Sequence, residues 1–471
     1  MQVALIPLYV DYYEGVVPGI EAMKSVLLNK ARAAIGERHS VTVFDRISDV
    51  KSARYARQRL LQSGFDCLIV LPLVATFSQL SDELVQGWNK PLLLLSALAG
   101  SRIPSSITMP EVVAESQGFG SQAVANGWMR QGIRFQALHV GLDSHEGVAA
   151  VRRWLAVQEA VLRLPNLRLG LIGEVFEGMT DIGLPADEFH RQVGATVVHI
   201  PMSEVHRAME AAAACKLREL EADLRRQFLW GAFSAVEKDL SLRAALAILN
   251  LVQEAKLDCA AFNSHGAGGL QSPKLGLMAA LGVTLATTRG MPVSEVGDLC
   301  TAFALWLGRQ LGGACYYTEL DSAYMSEKVW LLLNSGEYDL NWLRPGVKPR
   351  LIRNTNFAGV NGRGASVCAP LREGPATVLN FTPTPCGPRP FRVQFCEGRI
   401  LRRWCSKLGV GNAYFELSGN AHRAYHRWLN GGPVHHSATS PGHLGSAISL
   451  FCESVGWTAL EIPANTDSGA G

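Results

Sequence analysis

The 471-residue sequence lacks the features that define several classes of protein. Its ten cysteines are scattered singly and none forms a CxxC pair, which argues against a zinc ribbon or a thioredoxin-type redox site. No stretch reaches the ~18 uninterrupted apolar residues that a membrane span needs. The opening segment, MQVALIPLYVDYYEG, contains no basic region or cleavage site of a secretory signal. These absences predict a cytoplasmic protein with reduced thiols.

The sequence also lacks a large excess of either charge, because it has 44 Lys and Arg residues and 41 Asp and Glu residues, which give a net charge of +3. No overall field would therefore attract nucleic acid. One exception is a basic stripe from Arg344 to Arg403, which contains eleven Lys or Arg and two Glu residues. It could bind an acidic ligand or nucleic acid. We favour a solvated sheet face or a subunit interface, because Arg399 and Arg402 would point to opposite faces of a strand.

Two series of apolar runs predict the fold. The first comprises QVALIPLY, HSVTVFD, DCLIVLPLV, KPLLLLSAL and FQALHVGLD, which are typical of strands buried on both faces of a parallel sheet. The second comprises LRLGLIGEVF, ATVVHIP, LDCAAFN, VTLATT and GACYYTEL, with a long helix, EVHRAMEAAAACKLRELEADLRRQFLWGAF, within it. Beyond residue 320 the runs KVWLLLN, ATVLNFTPT and FRVQFCEGRILRRW alternate, as antiparallel strands do.

The sequence therefore predicts an α/β protein with two doubly wound parallel-sheet domains, followed by a mainly antiparallel β domain with flanking helices. Three domains also suit the length at about 150 residues each. The predicted boundaries are 1–160 for a flavodoxin-like domain, 161–320 for the second α/β domain and 321–463 for the β-rich domain. Residues 464–471 are predicted to be a disordered tail.

Carboxylates and histidines mark two segments of the chain. Asp298 is predicted to cap a helix that runs from Leu299 to about Leu311 and ends at Gly312 and Gly313. Glu319 is expected at the carboxyl end of the next strand, where α/β sheets hold ligands. A Gly- and Pro-framed loop, NGGPVHHSATSPGHLG, adds His435, His436 and His443. Two carboxylates and an imidazole would suit Mn²⁺ or Mg²⁺, although solvated side chains are the commoner explanation for such residues.

Five segments together resemble the carboxyl half of the L-fucose isomerase/L-arabinose isomerase family. In chain order they are MPVSEVGDLCTA, YYTELDSAY, WLLLNSGEYD, GVGNAYFEL and WLNGGPVHHSATSPGHLG. The segment LRLGLIGEVFEGMTDIG resembles the strand that opens that family's second domain. The resemblance implies a homo-trimer or homo-hexamer that interconverts aldoses and ketoses with Mn²⁺, or with another divalent cation such as Mg²⁺ or Co²⁺.

The resemblance also implies roles for individual residues. Glu319 and His436 match an acid and a histidine of the family's metal site, and Glu295 stands beside the position of the second acid. Glu319 and Glu295 would also be the catalytic acid–base pair. Two positions depart from the family pattern, because the second acid falls on Val296 and an expected histidine becomes Asn334. The residues predicted to contact the sugar are His435, Asn334, Met179, His265 and His443.

Three functions are consistent with these residues. The main prediction is a metal-dependent isomerase, in which the metal stabilises an enediolate and a carboxylate moves a proton between neighbouring carbons. Val296 and Asn334 instead favour a catalytically impaired relative that binds sugar or acts as a regulator. A nucleic-acid-associated protein is disfavoured, because the basic stripe lacks interleaved aromatic residues and the net charge is nearly neutral. A dinucleotide site is also disfavoured, because GLIGEVFEG lacks the G-x-G-x-x-G spacing.

Overall fold

The computed structural model describes residues 1–100, 105–264, 279–324, 328–353 and 364–462. The chain divides into two compact units, Met1–Leu162 and Arg163–Gly471. In the ranges described, no helix combines the length and the apolar character needed to cross a membrane. The predicted tail, 464–471, lies outside the described residues.

The first unit is built around a parallel sheet. Its strands are β1 (Gln2–Leu8), β2 (Ser40–Val43), β3 (Cys67–Pro72), β4 (Leu92–Leu98) and β5 (Gln136–Gly141). They lie in the order β2-β1-β3-β4-β5, which is the flavodoxin-like order. The helices are α1 (Ile20–Ile35), α2 (Val50–Gln62), α3 (Ser78–Val85), α4 (Met109–Ala114), α5 (Gln117–Arg130) and α6 (His145–Arg163). The five predicted apolar runs of this unit are confirmed as strands, and β3 is buried at every position, as expected for a central parallel strand.

The second unit begins with a smaller parallel sheet. It contains β6 (Arg168–Ile172), β7 (Thr196–Ile200), β9 (Cys259–Phe262) and β10 (Val293–Ser294), in the order β10-β9-β6-β7. The helices are α7 (Ala186–Val193), α8 (Met202–Glu210), α9 (Ala214–Gln227), α10 (Ala235–Glu254), α11 (Ala280–Thr288) and α12 (Leu299–Gly312). A short strand, β8 (Leu229–Trp230), pairs with β13 (Arg350–Arg353), which in turn pairs with β14 (Ala365–Cys368).

The largest sheet is mostly antiparallel. It contains β11 (Tyr316–Tyr324), β12 (Val329–Asn334), β15 (Gly374–Pro383), β16 (Phe391–Ile400), β17 (Gly411–Glu416), β18 (His436–Pro441) and β19 (Thr458–Glu461). The order is β15-β18-β11-β12-β17-β16-β19, and a further pairing of β15 with β16 joins six of the strands into a ring. The helices α13 (Ala421–Asn430) and α14 (Gly445–Val455) flank β18 in sequence, in agreement with the flanking helices predicted for this domain.

Three local predictions are corrected by the structure. The run VTLATT is not a strand; it lies in α11, where eight of the nine residues are buried. The hydrophobic pattern of a short apolar run that is buried on all sides is the same for a strand and for a helix. The long helix predicted from residue 204 is interrupted after Glu210 and resumes at Ala214. The boundary predicted at residue 320 falls inside β11, which pairs with β12 and β18 of the antiparallel sheet.

Helix α12 brings the two sheets of the second unit together. It packs against β9 and β6 on the parallel sheet and against β18 and β15 on the antiparallel sheet. Close approach to β18 depends on Gly308, because a Cβ atom there would lie 2.3 Å from Ser440 Oγ. This packing places the first residues of α12 beside the start of β18.

Candidate functional site

Glu319 and His436 lie opposite each other on neighbouring strands. In the antiparallel register of β11 and β18, Glu319 pairs with His436, so their side chains share one face of the sheet. His436 Nε2 lies 3.9 Å from Glu319 Oε1. Glu319 is therefore not at the carboxyl end of a parallel strand, as predicted; it lies within an antiparallel strand, just before a bulge between Leu320 and Ser322. Likewise, His436 begins a strand and does not lie in the middle of a loop.

Asp298 connects this pair to the N-terminus of α12. Its side chain accepts hydrogen bonds from Thr301 N, at 2.8 Å, and from Thr301 Oγ1, at 2.7 Å. The predicted cap, the helix start at Leu299 and the end at Gly312 and Gly313 are all confirmed. Asp298 Oδ2 also lies 2.9 Å from His436 Nδ1. The Asp298 side chain is 0% exposed and that of His436 is 3% exposed.

Glu295 lies three residues before the cap, directly after β10. It is buried, and its Oε2 accepts a hydrogen bond of 2.5 Å from Ser264 Oγ. Burial raises the pKa of Glu295 to about 8; the hydrogen bond from Ser264 opposes this rise and the charge of Glu319 adds to it. The next residue, Val296, has a φ of +53°, a strained conformation for a β-branched residue, and its carbonyl accepts a hydrogen bond from Phe176 N.

Glu337 is a member of this site that the sequence analysis did not single out. It is buried in the turn after β12, and neither carboxyl oxygen has a hydrogen-bond partner among the described residues. Burial raises its pKa well above the usual value, and repulsion from Glu295 and Glu319 adds to the rise. The signal was present in WLLLNSGEYD, where an acidic residue stands three positions after the end of a buried strand.

Asn334, which was predicted to contact sugar, shapes the turn that presents Glu337. Its Nδ2 donates to the carbonyls of Tyr317, at 2.9 Å, and Glu337, at 2.8 Å. Its Oδ1 accepts from Gly336 N at 2.9 Å. The side chain is fully buried, and these three bonds occupy both amide hydrogens and the oxygen. Asn334 therefore acts on the site through the backbone.

Tyr317 lies among the acidic residues. Its ring packs on His436 with a centroid distance of 5.1 Å, and its hydroxyl is buried without a hydrogen-bond partner in the part of the chain that the structure describes. Burial raises its pKa well above the usual value, and the charges of four carboxylates add to the effect. We call the whole group the acid–imidazole cluster; its members are Glu295, Asp298, Tyr317, Glu319, Glu337 and His436.

The cluster reaches solvent at Glu319, whose side chain is 27% exposed. Beside it, His435 Nδ1 lies 2.6 Å from Asp181 Oδ2, and the backbone N–H of His435 donates to the same oxygen at 3.0 Å. Burial opposes ionisation of Asp181, but the hydrogen bonds from His435 outweigh it and lower the pKa of Asp181. These two half-exposed residues form a rim to the cluster.

The remaining predicted residues are placed differently. Met179 lies in the segment that supplies Asp181 and is half-buried there. His443 follows the end of β18 and is exposed, with Nδ1 3.6 Å from Glu397 Oε2. Because strands rise about 3.3 Å per residue, β18 separates His443 from His436 by roughly 20 Å. His265 lies outside the described residues.

The donor atoms of the cluster suit a hard divalent cation, but their arrangement does not form a complete metal site. Carboxylate oxygens and imidazole nitrogens are ligands for Mn²⁺. Glu295 Oε1 and both carboxyl oxygens of Glu337 have no hydrogen-bond partner among the described residues, as expected for unused ligands. Within the described ranges, however, no three His, Cys, Asp or Glu side chains are placed to hold one metal ion. The Mn²⁺ cofactor stays a prediction.

The described cations of the basic stripe do not converge on a single patch, because they contact different parts of the second unit. Examples are Arg344 with Glu373 at 3.3 Å, Arg353 with Glu237 at 2.7 Å, Lys348 with the carbonyl of Arg225 at 3.4 Å, and Arg403 over the ring of Tyr414 at 4.2 Å. Arg392 donates to the carbonyl of Gly431. These contacts give the stripe a structural role.

No family model and no curated protein matches the chain. Similar solved structures include an ABC transporter solute-binding protein from Burkholderia multivorans, with a ligand interpreted as alpha-D-erythrofuranose; it has 9% identity and a TM-score of 0.17, over 65% of this chain and 92% of that one. A periplasmic solute-binding protein from Actinobacillus succinogenes 130z with bound D-allose has 10% identity and a TM-score of 0.16, over 66% and 91%.

A LacI-type transcriptional regulator from Bacteroides fragilis has 10% identity and a TM-score of 0.15, over 66% of this chain and 90% of that one. TM-scores this low support no conclusion about function. The function is therefore argued from the cluster itself, and the resemblance to the isomerase family stays a prediction.

Proposed function

We propose that the acid–imidazole cluster binds an uncharged sugar. The observation that carries the proposal is the pairing of Glu319 with His436 on one face of the sheet, at the point where the cluster meets solvent. Sugar hydroxyls both donate and accept hydrogen bonds. The cluster offers both functions, because a carboxylate accepts and a protonated carboxyl group, such as Glu295 with its pKa of about 8, donates near neutral pH.

The charges of the cluster favour an uncharged ligand. Within the described part of the chain, no Lys or Arg is among the charged neighbours that shift the pKa values of Glu295, Glu319 and Glu337. Among the described residues, a phosphate or carboxylate group on the ligand would therefore meet acidic side chains and the two histidines. The resemblance of the GGPVHHS segment to sugar isomerases supports the same class of ligand.

Isothermal titration calorimetry with a panel of aldopentoses and 6-deoxyhexoses tests this proposal. We expect the wild-type protein to bind at least one sugar. Glu319→Gln should lower the affinity for that sugar by about tenfold or more, because it removes a hydrogen bond to a charged group. Glu397→Gln is the matched control, because Glu397 lies in the same sheet but contacts His443 outside the cluster. Absence of binding, or equal affinities for the two variants, would contradict the proposal.

A second candidate function, aldose–ketose isomerisation, is favoured by the environment of Glu319. Burial raises the pKa of Glu319, whereas the neighbouring His436 lowers it, so the net rise brings this carboxylate closer to the pH at which a general base works best. Glu319 would take the proton from carbon 2 of an aldose while the carbonyl oxygen on carbon 1 gains a proton, which gives an enediol. Glu319 would then return its proton to carbon 1 as the hydroxyl on carbon 2 loses its own.

Ketose formation separates this candidate from sugar binding alone. Purified protein is incubated with the same panel, with and without Mn²⁺, and ketose is measured. Turnover that falls by about 10²–10⁴-fold in Glu319→Gln would support isomerisation, since general-base catalysis contributes a factor of this size. Sugar binding without ketose would leave the chain as a binding protein.

A further inference from the structure

We propose that Asp298 is a positioning residue that fixes the orientation and the tautomer of His436, so that Nε2 faces the ligand beside Glu319. The inference rests on the proposed sugar site and assigns a second role to a residue that the sequence analysis interpreted only as a helix cap. Three independent sets of contacts support it.

The first set of contacts is made by the Asp298 carboxylate, which has more partners than capping requires. A cap needs one side-chain oxygen to accept from the first turn, and Asp298 Oδ1 does so from Thr301 N. Its Oδ2 accepts from Thr301 Oγ1 and lies 2.9 Å from His436 Nδ1. An ionised carboxylate carries no hydrogen and can only accept, so beside it His436 Nδ1 carries the hydrogen of the contact.

The second contact fixes Asp298 itself. The carbonyl of Asp298 accepts a hydrogen bond of 2.6 Å from Ser294 Oγ, and the residue is fully buried at the start of α12. The cap therefore belongs to a helix that is held between two sheets. This rigid base gives the carboxylate one position relative to β18.

The third set of contacts restrains the imidazole ring. One face of the ring meets Tyr317 at 5.1 Å and His435 lies at 3.7 Å, both between centroids. The carbonyl of His436 accepts a hydrogen bond of 2.6 Å from Asn380 Nδ2, which holds the backbone. With Nδ1 bound to Asp298, Nε2 is directed at Glu319 but lies 3.9 Å from it, too far for a direct hydrogen bond. Among the described residues, no hydrogen bond occupies Nε2, which leaves it available to accept from a ligand hydroxyl.

Asp298→Asn separates capping from positioning. Asparagine is as good a helix cap as aspartate, so α12 should keep its start. The new amide, however, can donate to His436 Nδ1, which would move the ring hydrogen to Nε2 and remove its lone pair. Asp49→Asn is the matched control, because Asp49 caps α2 through Ser52 N at 2.6 Å and its hydrogen bonds in the described part of the chain are to Ser52 and not to an imidazole.

The experiment reads the tautomer directly, from the ¹⁵N chemical shifts of the His436 ring, assigned by comparison with His436→Gln. We expect a protonated Nδ1 in the wild type and in Asp49→Asn, and a protonated Nε2 in Asp298→Asn. Sugar affinity, measured on the same proteins by calorimetry, should fall about 10- to 100-fold in Asp298→Asn only, the size of effect expected when a hydrogen-bonding group of the complex loses its acceptor.

The possible results distinguish failure of the positioning role of Asp298 from failure of the proposed sugar binding. An unchanged His436 tautomer in folded Asp298→Asn would overturn the positioning role, and so would a tautomer change that leaves sugar affinity intact. If no sugar binds the wild type while the tautomer still changes, the proposed function fails and the geometric assignment of Asp298 stands. If Asp298→Asn does not fold, Thr301→Val replaces it in the test. This variant keeps the backbone N–H of residue 301 but removes the Oγ1 hydrogen bond to Asp298. The ¹⁵N signals of the His436 ring must then shift, and unchanged signals would overturn the inference.

Discussion

The carboxyl groups of Glu295 and Glu337 are buried in one cluster, where burial raises the pKa of Glu337 and repulsion from Glu295 adds to the rise. The two residues come from different sheets, since Glu295 follows β10 of the parallel sheet and Glu337 follows β12 of the antiparallel sheet. The cluster therefore exists only when α12 has packed the two sheets together. Stability and ligand binding should depend on the same residues.

The first prediction concerns pH. The pKa of Glu295 is about 8 in the folded chain against an ordinary value of 4.5, so the unfolded chain releases this proton at a lower pH than the folded chain does. The free energy of unfolding should therefore fall as pH rises from about 4.5 to about 8. Glu295→Gln removes this contribution and should flatten the pH dependence. Urea unfolding at pH 5 and pH 8, with a chelator present, measures the pH dependence of the free energy of unfolding, and Glu397→Gln is the control. The same pH dependence in Glu295→Gln and in the wild type would be inconsistent with a buried, protonated Glu295.

The second prediction concerns the turn before α12. A Cβ atom on Gly297 would lie 2.5 Å from the carbonyl oxygen of Glu174, and its φ is +73°. Gly313, at the other end of α12, has a φ of +81° but open space around it. We expect Gly313→Ala to cost about 1 kcal/mol of stability, from conformation alone, and Gly297→Ala to cost considerably more. Thermal unfolding compares them, and equal melting temperatures would refute the close packing at Gly297.

The third prediction concerns the rim. Because the Asp181–His435 pair is half-exposed, Asp181→Asn should change stability by less than about 1 kcal/mol. The same change weakens the contact that ties residues 173–185 to the start of β18, so amide hydrogens of that segment should exchange faster. Hydrogen-exchange mass spectrometry measures this rate, with Asp187→Asn in α7 as a control. Exchange that does not change would show that other contacts hold the segment.

The fourth prediction concerns ligand charge. A sugar that binds should lose most of its affinity when it carries a phosphate, because the acidic side chains of the cluster repel the added charge. Competition calorimetry with the free sugar and its phosphate ester, at moderate salt, compares the two. Tighter binding of the phosphate would point to a cationic site elsewhere, such as the basic stripe.

Much of the fold could be predicted from local patterns, because buried parallel strands are continuous apolar runs and helix ends have their own signals. The strands of the first unit and the cap at Asp298 are examples. The ring of six strands could not be predicted, since a strand's sequence does not specify its partner. That is why Glu319 was expected in the parallel sheet although β11 pairs with β18.

The site was predicted less completely than the fold. Glu319 and His436 were singled out from their segments and assigned to one metal site through the family resemblance, and the register of β11 and β18 brings them together. Glu337 was missed because an acidic residue after a strand is usually solvated, and only the tertiary structure shows it buried. Asp298 was interpreted as a cap alone because its contact with His436 spans 138 positions.

The most direct test of the central claim is a crystal structure of the protein with the tightest-binding sugar of the panel. The account predicts sugar oxygens within hydrogen-bonding distance of Glu319 and of His436 Nε2, with His436 Nδ1 still bound to Asp298. A sugar bound elsewhere on the chain, with Glu319 and His436 making no contact to it, would contradict the account.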